Sequence, residues 1–213
     1  ALAAQGADVA VVLPLYQKVK EKFSDQLHFE CYDYVDLAWR HSYCGLFSME
    51  RDGVTWYFLD NEQYFRRPEL YGYMDDGERF GFFSRAVVRM LPHLRFWPEV
   101  IHCNDWQTAL VPIYLLEERH RIPQLCDTKS VFTIHNIEYQ GRYGQDLVDD
   151  LFGLDRTYLH EHMLAYHHDL NLMKGAIMAS TYVTTVSPTY AQELRLPFYA
   201  HGMDAVSYTH LRA

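Results

Sequence analysis

The stretch PEVIHCNDWQT (residues 98–108) decides the fold. Residues 99–103 read as a short strand entered from Pro98, and Trp106 opens a helix predicted to run to residue 119. The same pattern recurs downstream. Residues 130–134 read as a short buried strand, 158–168 and 170–179 as helices, and 182–186 as another strand. Ser187-Pro188 then starts a last helix with proline at its first position. Strand, helix, strand, helices, strand, helix is the order of parallel strands joined by right-handed crossovers. The predicted class is therefore α/β with a doubly wound, mostly parallel sheet.

Upstream of this stretch the reading is less regular. Residues 1–6 read as the end of a helix stopped by Gly6, and residues 7–13 (ADVAVVL) as a strand covered on both faces. The chain does not begin with Met, and an opening in the last turn of a helix predicts that residues precede it. Residues 27–37, 42–49 and 54–59 are strand-like and aromatic. Asp52-Gly53 between the last two is a hairpin signal, so an antiparallel excursion is predicted beside the main sheet. Asp75 or Asp76 can cap a helix reaching Leu91, with Phe80, Phe83, Val87 and Met90 or Leu91 on one apolar stripe.

Composition narrows the function classes. The 213 residues are 49% hydrophobic and 15% aromatic, which is enough for a sizeable core and argues against disorder. A formal net charge of -9 argues against a general nucleic-acid binder. The four cysteines form no CxxC pair and read as reduced thiols of a cytoplasmic protein. No apolar run reaches the length of a membrane span. His160, His162, His167 and His168 cluster on predicted helices, but residues two apart on a helix do not share a face, and no HExxH pattern joins them. No metal site is predicted. GxGxxG, P-loop and GxSxG motifs are also absent, which weakens dehydrogenase, nucleotidase and hydrolase readings.

In open parallel sheets ligands bind beyond the carboxyl ends of the strands. That rule selects two loops here. In the first, Asp105 either caps the following helix or accepts hydrogen bonds from a hydroxylated ligand; both readings stay open. The second runs from Thr133 through His135, Asn136, Glu138, Tyr139 and Gln140 to Gly141. It concentrates groups that donate and accept, as sugar hydroxyls require, though a plain polar loop has the same composition. A third candidate is the segment 66–79, where Tyr71-Gly72-Tyr73 precede two aspartates. Aromatic faces beside carboxylates suit sugar rings, and a helix entry with surface aromatics looks the same.

At these motifs the chain resembles the glycogen and starch synthases, two-Rossmann-domain (GT-B) glycosyltransferases. The likeness spans roughly residues 1–204. It is carried by ALAAQGADVAVVLPLY, LYGYMDDGERFGFFSRAVV, PEVIHCNDWQTALVPIYL, FTIHNIEYQGRYG, NLMKGAIMASTYVTTVSPTYAQEL and AHGMDA in that order. The resemblance implies a Rossmann-like domain forming the N-terminal half of such an enzyme, over residues 1–205. It implies transfer of glucose from ADP-glucose to the non-reducing end of an α-1,4-glucan such as a maltooligosaccharide, with retention and with no metal or cofactor. By position, His135 and Asp105 resemble catalytic residues near the reacting sugars. Asn136, Tyr73 and Asn171 resemble substrate-binding residues of the cleft.

Two departures bear on function. The family's Lys-x-Gly-Gly-Leu segment and its second Rossmann domain are not in this sequence, so the chain alone is expected to transfer no glucose. Residues 206–213 (VSYTHLRA) leave the family pattern and are expected to be a non-native tail. The competing reading is a noncatalytic glucan-binding module of the same fold.

Overall fold

Two-residue turns organise the first of two compact units, residues 1–96. The computed structural model describes residues 1–94 and 96–211 of the chain. In this unit β1 (Ala10–Pro14), α1 (Gln17–Phe23), β2 (His28–Leu37), β3 (Arg40–Arg51), β4 (Val54–Asp60), α2 (Glu62–Phe65) and α3 (Asp76–Met90) follow in order. Asp52 and Gly53 both take positive φ, 55° and 71°, so the β3–β4 hairpin closes on the left-handed pair that Asp-Gly supplies. The β2–β3 hairpin turns on Ala38-Trp39, with Ala38 at φ 54°. No Asn-Gly or Asp-Gly marks that turn, and β3 accordingly begins at Arg40 rather than at residue 42.

The hairpins were expected beside the main sheet. Instead β1 pairs parallel with β4, and the order β1-β4-β3-β2 makes one mixed sheet. β1 is its edge strand, and Ala10 to Leu13 are only half-buried despite their apolar run. α3 lies against β2 and buries the predicted stripe of Phe80, Phe83, Val87 and Met90, together with Phe82, Ala86 and Val88.

Neither aspartate caps α3. Asp75 pairs with Arg67 at 2.7 Å. Asp76 turns back to accept the Gly72 and Tyr73 N–H groups, at 2.6 and 3.1 Å, and pairs with the fully buried Arg79. A buried guanidinium demands a carboxylate and acceptors around it, and that demand takes the side chain from the cap. Arg79 also donates to the carbonyls of Tyr64 and Leu70.

The second unit, residues 97–213, holds β5 (Val100–Asn104), α4 (Leu110–Glu118), β6 (Lys129–Ile134), β7 (Arg142–Gly144) and α5 (Leu147–Asp150). It continues with β8 (Ala165–Tyr166), β9 (Asp169–Asn171), α6 (Leu172–Ala179), β10 (Tyr182–Thr185), α7 (Pro188–Glu193) and α8 (Asp204–His210). β10-β6-β5 is wholly parallel, as the alternation predicts, and β7-β9-β8 is a small antiparallel sheet. α4 packs on α6, and Gly175 permits it: a Cβ there would lie 2.5 Å from Leu164 and 2.9 Å from Ile113. Ser187 caps α7 by accepting the Tyr190 N–H, with Pro188 at the first helical position.

Residues 158–168 form no α-helix. Asp155 caps a single 3-10 turn, Arg156–Tyr158, and the chain then forms the β8–β9 hairpin through His167, at φ 53°. Lys174 of α6 donates to the carbonyls of Glu161 and Ala165, which a helix would have used internally. The histidines therefore sit on turns. His160 Nδ1 accepts the His162 N–H, and the two rings lie 6.2 Å apart. Among the described residues no group of three or more His, Cys, Asp or Glu is placed to hold a metal ion. Likewise no helix is long and apolar enough to cross a membrane.

Of the stretch expected to be foreign, residues up to 211 pack on the unit. Ser207 is fully buried in α8, and Leu211 bridges Val183. Arg212 and Ala213 lie outside the described residues.

Candidate active site

Because β5 and β6 are parallel neighbours with Asn104 opposite Thr133, their chains leave the sheet at the same end. Asp105 N–H still donates to the Thr133 carbonyl, at 3.0 Å, which extends the ladder by one bond. The backbone then turns sharply, with Asp105 at φ 56° and ψ −179°. That combination borders a region populated essentially by glycine and costs about 1–3 kcal/mol. The turn aims the carboxylate across to the β6 exit. There Oδ1 accepts the backbone N–H of His135 at 2.8 Å and of Asn136 at 3.3 Å. Asp105 does not cap the 3-10 turn that follows it.

The β6 exit is fixed from several sides. Asn136 Oδ1 accepts the Glu138 N–H, a local side-chain turn. Tyr190 of α7 accepts the Ile137 N–H through its hydroxyl at 3.0 Å. Buried Gln140 donates to the carbonyls of Ile137 and His201. Gly141 takes φ 64°, with Trp106 and Leu172 where a side chain would sit. His135 and Asn136 remain exposed above this support.

A polar row runs beneath the exit. His102 Nε2 lies 2.6 Å from Thr133 Oγ1, which lies 2.7 Å from Thr184 Oγ1. The His102 side chain is exposed at the sheet end, and the partial desolvation it does have lowers its pKa below the ordinary imidazole value, with the neighbouring His135 lowering it further. Cys103, on the opposite face of β5, is buried, and desolvation pushes its thiol up to about 12, so it is inert as a nucleophile.

The structure brings Asp105, His135 and Asn136 of the predicted residues together. Asn171 is fully buried, and its amide is engaged at both ends. Oδ1 caps α6 by accepting the Lys174 N–H, while Nδ2 donates to Gln140 Oε1 at 2.7 Å. As placed, it reaches the exit loop through Gln140 and presents no surface of its own to a ligand. Tyr73 belongs to the first unit, in the loop before α3. The guanidinium groups of Arg67 and Arg79 lie 5.1 and 4.9 Å from its ring centroid, and its hydroxyl accepts the Glu69 N–H at 3.0 Å. The sequence reading missed Thr184 and Tyr190 and gave Asn104 no role. The one available signal was strand alternation, which sets His102, Asn104 and Thr133 on one face.

The family model of the starch synthase catalytic domain matches residues 1–208. The chain belongs to that family. The glycogen synthase of Clostridium novyi is 41% identical over 207 residues, covering 97% of this chain and 43% of its own. That of Lactococcus lactis is 45% identical over 199 residues, covering 93% and 42%. Among solved structures, the catalytic domain of Starch Synthase IV from Arabidopsis thaliana, bound to ADP and acarbose, superposes with a TM-score of 0.87. It is 30% identical and covers 98% of this chain and 44% of its own. This member of the family thus spans well under half the length of the relatives it matches. The match also establishes the fold class as the α/β, GT-B type expected from the sequence.

Proposed function

We propose that this chain is the N-terminal part of a glycogen or starch synthase that transfers glucose from ADP-glucose to the non-reducing end of an α-1,4-glucan, with retention. Residues 1–205 belong to its N-terminal catalytic domain. The observation that carries the reading is the joining of Asp105 to His135 and Asn136 at the shared exit of β5 and β6, within a chain that matches the family almost end to end. The ADP and acarbose named with the Arabidopsis structure support a nucleotide-sugar donor and an oligosaccharide-like acceptor.

His135 and Asp105 take the catalytic roles. As ADP departs, negative charge builds on the leaving group and the sugar becomes cationic. Preorganised dipoles and charges fitted to that state lower the barrier. Asp105 fixes the exit and supplies negative charge near the developing cation, while His135 addresses sugar hydroxyls. Asn136 binds substrate beside His135, Tyr73 binds along the acceptor path, and Asn171 supports the site from below. No metal or cofactor takes part, and the protein works in the cytoplasm on sugars rather than on nucleic acids or membranes. The 213 residues alone transfer no glucose.

The test is incorporation of radiolabelled ADP-glucose into maltooligosaccharide by the full-length protein. His135→Ala is expected to lower turnover at least a hundredfold, in the range that loss of one transition-state contact produces. Near-normal turnover would remove the histidine from the chemistry.

A further inference from the structure

His135 is exposed, yet it is held at two points. Its backbone N–H is fixed by Asp105, and its ring Nε2 lies 3.0 Å from Asn104 Oδ1. Asn104 is itself rigidly placed. It ends β5 opposite Thr133, its N–H donates to Thr108 Oγ1 at 2.7 Å, and the Thr108 hydroxyl reaches back to its carbonyl at 2.9 Å. An amide oxygen only accepts, so Nε2 carries a proton toward it, and in the neutral ring Nδ1 then keeps the lone pair.

We propose that Asn104 is a positioning residue that locks His135 in its Nε2–H tautomer and so leaves Nδ1 as an acceptor for a ligand hydroxyl. The meaning of that acceptor in glucosyl transfer rests on the function proposed above; the tautomer lock does not. The chemistry of the partner fits this lock. The partner is an amide, which orients an imidazole without favouring its cation as a carboxylate does. His102 lies on the same face of β5 as Asn104, two residues before it. Asp105 also lies at this exit, with its Oδ1 turned to the main-chain N–H groups of His135 and Asn136.

The experiment uses the full-length protein labelled with 15N-histidine, with the His135 signals assigned by their loss in His135→Gln. In the parent, Nε2 is expected to give a pyrrole-type shift and Nδ1 a pyridine-type shift. Asn104→Leu, close in size, is expected to move both toward the average of mixed tautomers. Asn104→Asp is expected to raise the His135 titration midpoint by about one pH unit or more, and to carry the acidic limb of kcat/KM with it. Unchanged nitrogen shifts in Asn104→Leu overturn the proposal, even if that variant is less stable, and so does a protonated Nδ1 in the parent. If the tautomer moves in Asn104→Leu and the midpoint in Asn104→Asp while the pH–rate profile stays fixed, the lock stands and the role of His135 in transfer fails.

Discussion

Replacing Asp105 separates backbone strain from hydrogen bonding, because the residue carries both. At φ 56° and ψ −179° any side chain with a Cβ is strained by about 1–3 kcal/mol. The carboxylate also accepts two main-chain N–H groups, each worth about 1.5–3 kcal/mol as a bond to a charged group. His135 and Asn136 are exposed, so water can replace part of that. Asp105→Ala loses the bonds and keeps the strain, for a net cost of about 2 kcal/mol. Asp105→Gly loses the same bonds and releases the strain. The glycine variant should therefore be the more stable of the two by about 1 kcal/mol. At ordinary positions glycine is about 0.5–1 kcal/mol worse than alanine, so the expected order is reversed. Urea titration followed by tryptophan fluorescence, with Trp106 next to the substitution, measures the difference. An alanine variant as stable as the glycine variant would refute the strain argument. Both variants should lose transfer activity in the full-length protein, since the two loops are no longer tied together.

Three other outcomes follow from the same geometry. Asn171→Ala removes the α6 cap and leaves buried Gln140 Oε1 without its donor, so a loss of about 2–4 kcal/mol is expected in chemical denaturation. Gly141→Ala meets φ 64° and a Trp106 ring carbon 2.9 Å from the new Cβ; about 2 kcal/mol of destabilisation is expected, with turnover falling as the exit loop shifts. His102 has a folded pKa below its ordinary 6.5, so acid protonates the unfolded chain first. Its contribution to stability is complete above pH 6.5 and is lost as pH falls below that value. His102→Gln should flatten the denaturation midpoint against pH in that range, and an unchanged slope would assign the acid sensitivity elsewhere.

What the sequence made legible was local. Asp52-Gly53 marks its hairpin because the turn itself demands left-handed residues. Ser187-Pro188 marks the start of α7 because cap and first turn are contiguous. What stayed hidden was decided by partners far along the chain. β1 joins the hairpin strands through pairing with β4, more than forty residues on, and nothing in its apolar run names that neighbour. Residues 158–168 have the composition of a helix, yet Lys174 and β9 claim their backbone.

The site divides in the same way. Its loops were legible because parallel strands deliver their exits to one end, whatever the side chains do. The task of Asp105 was not, because its acceptor function is spent thirty residues away on backbone groups that carry no sequence signature. Asn171 is the instructive intermediate. An Asn directly before the apolar run of α6 has the form of an N-cap, and the structure uses it as one. Its other amide end then braces Gln140, so a residue marked by its place in a motif acts on the exit loop from inside the core. The register supplies the rest of the logic. With Asn104 opposite Thr133, the residue one step past β5 faces the residues two and three steps past the same level on β6. Inserting a single residue after Asn104 would carry the carboxylate away from both N–H groups while leaving every strand pair intact. The site therefore depends on the lengths of the two exits as much as on the identity of the residues in them.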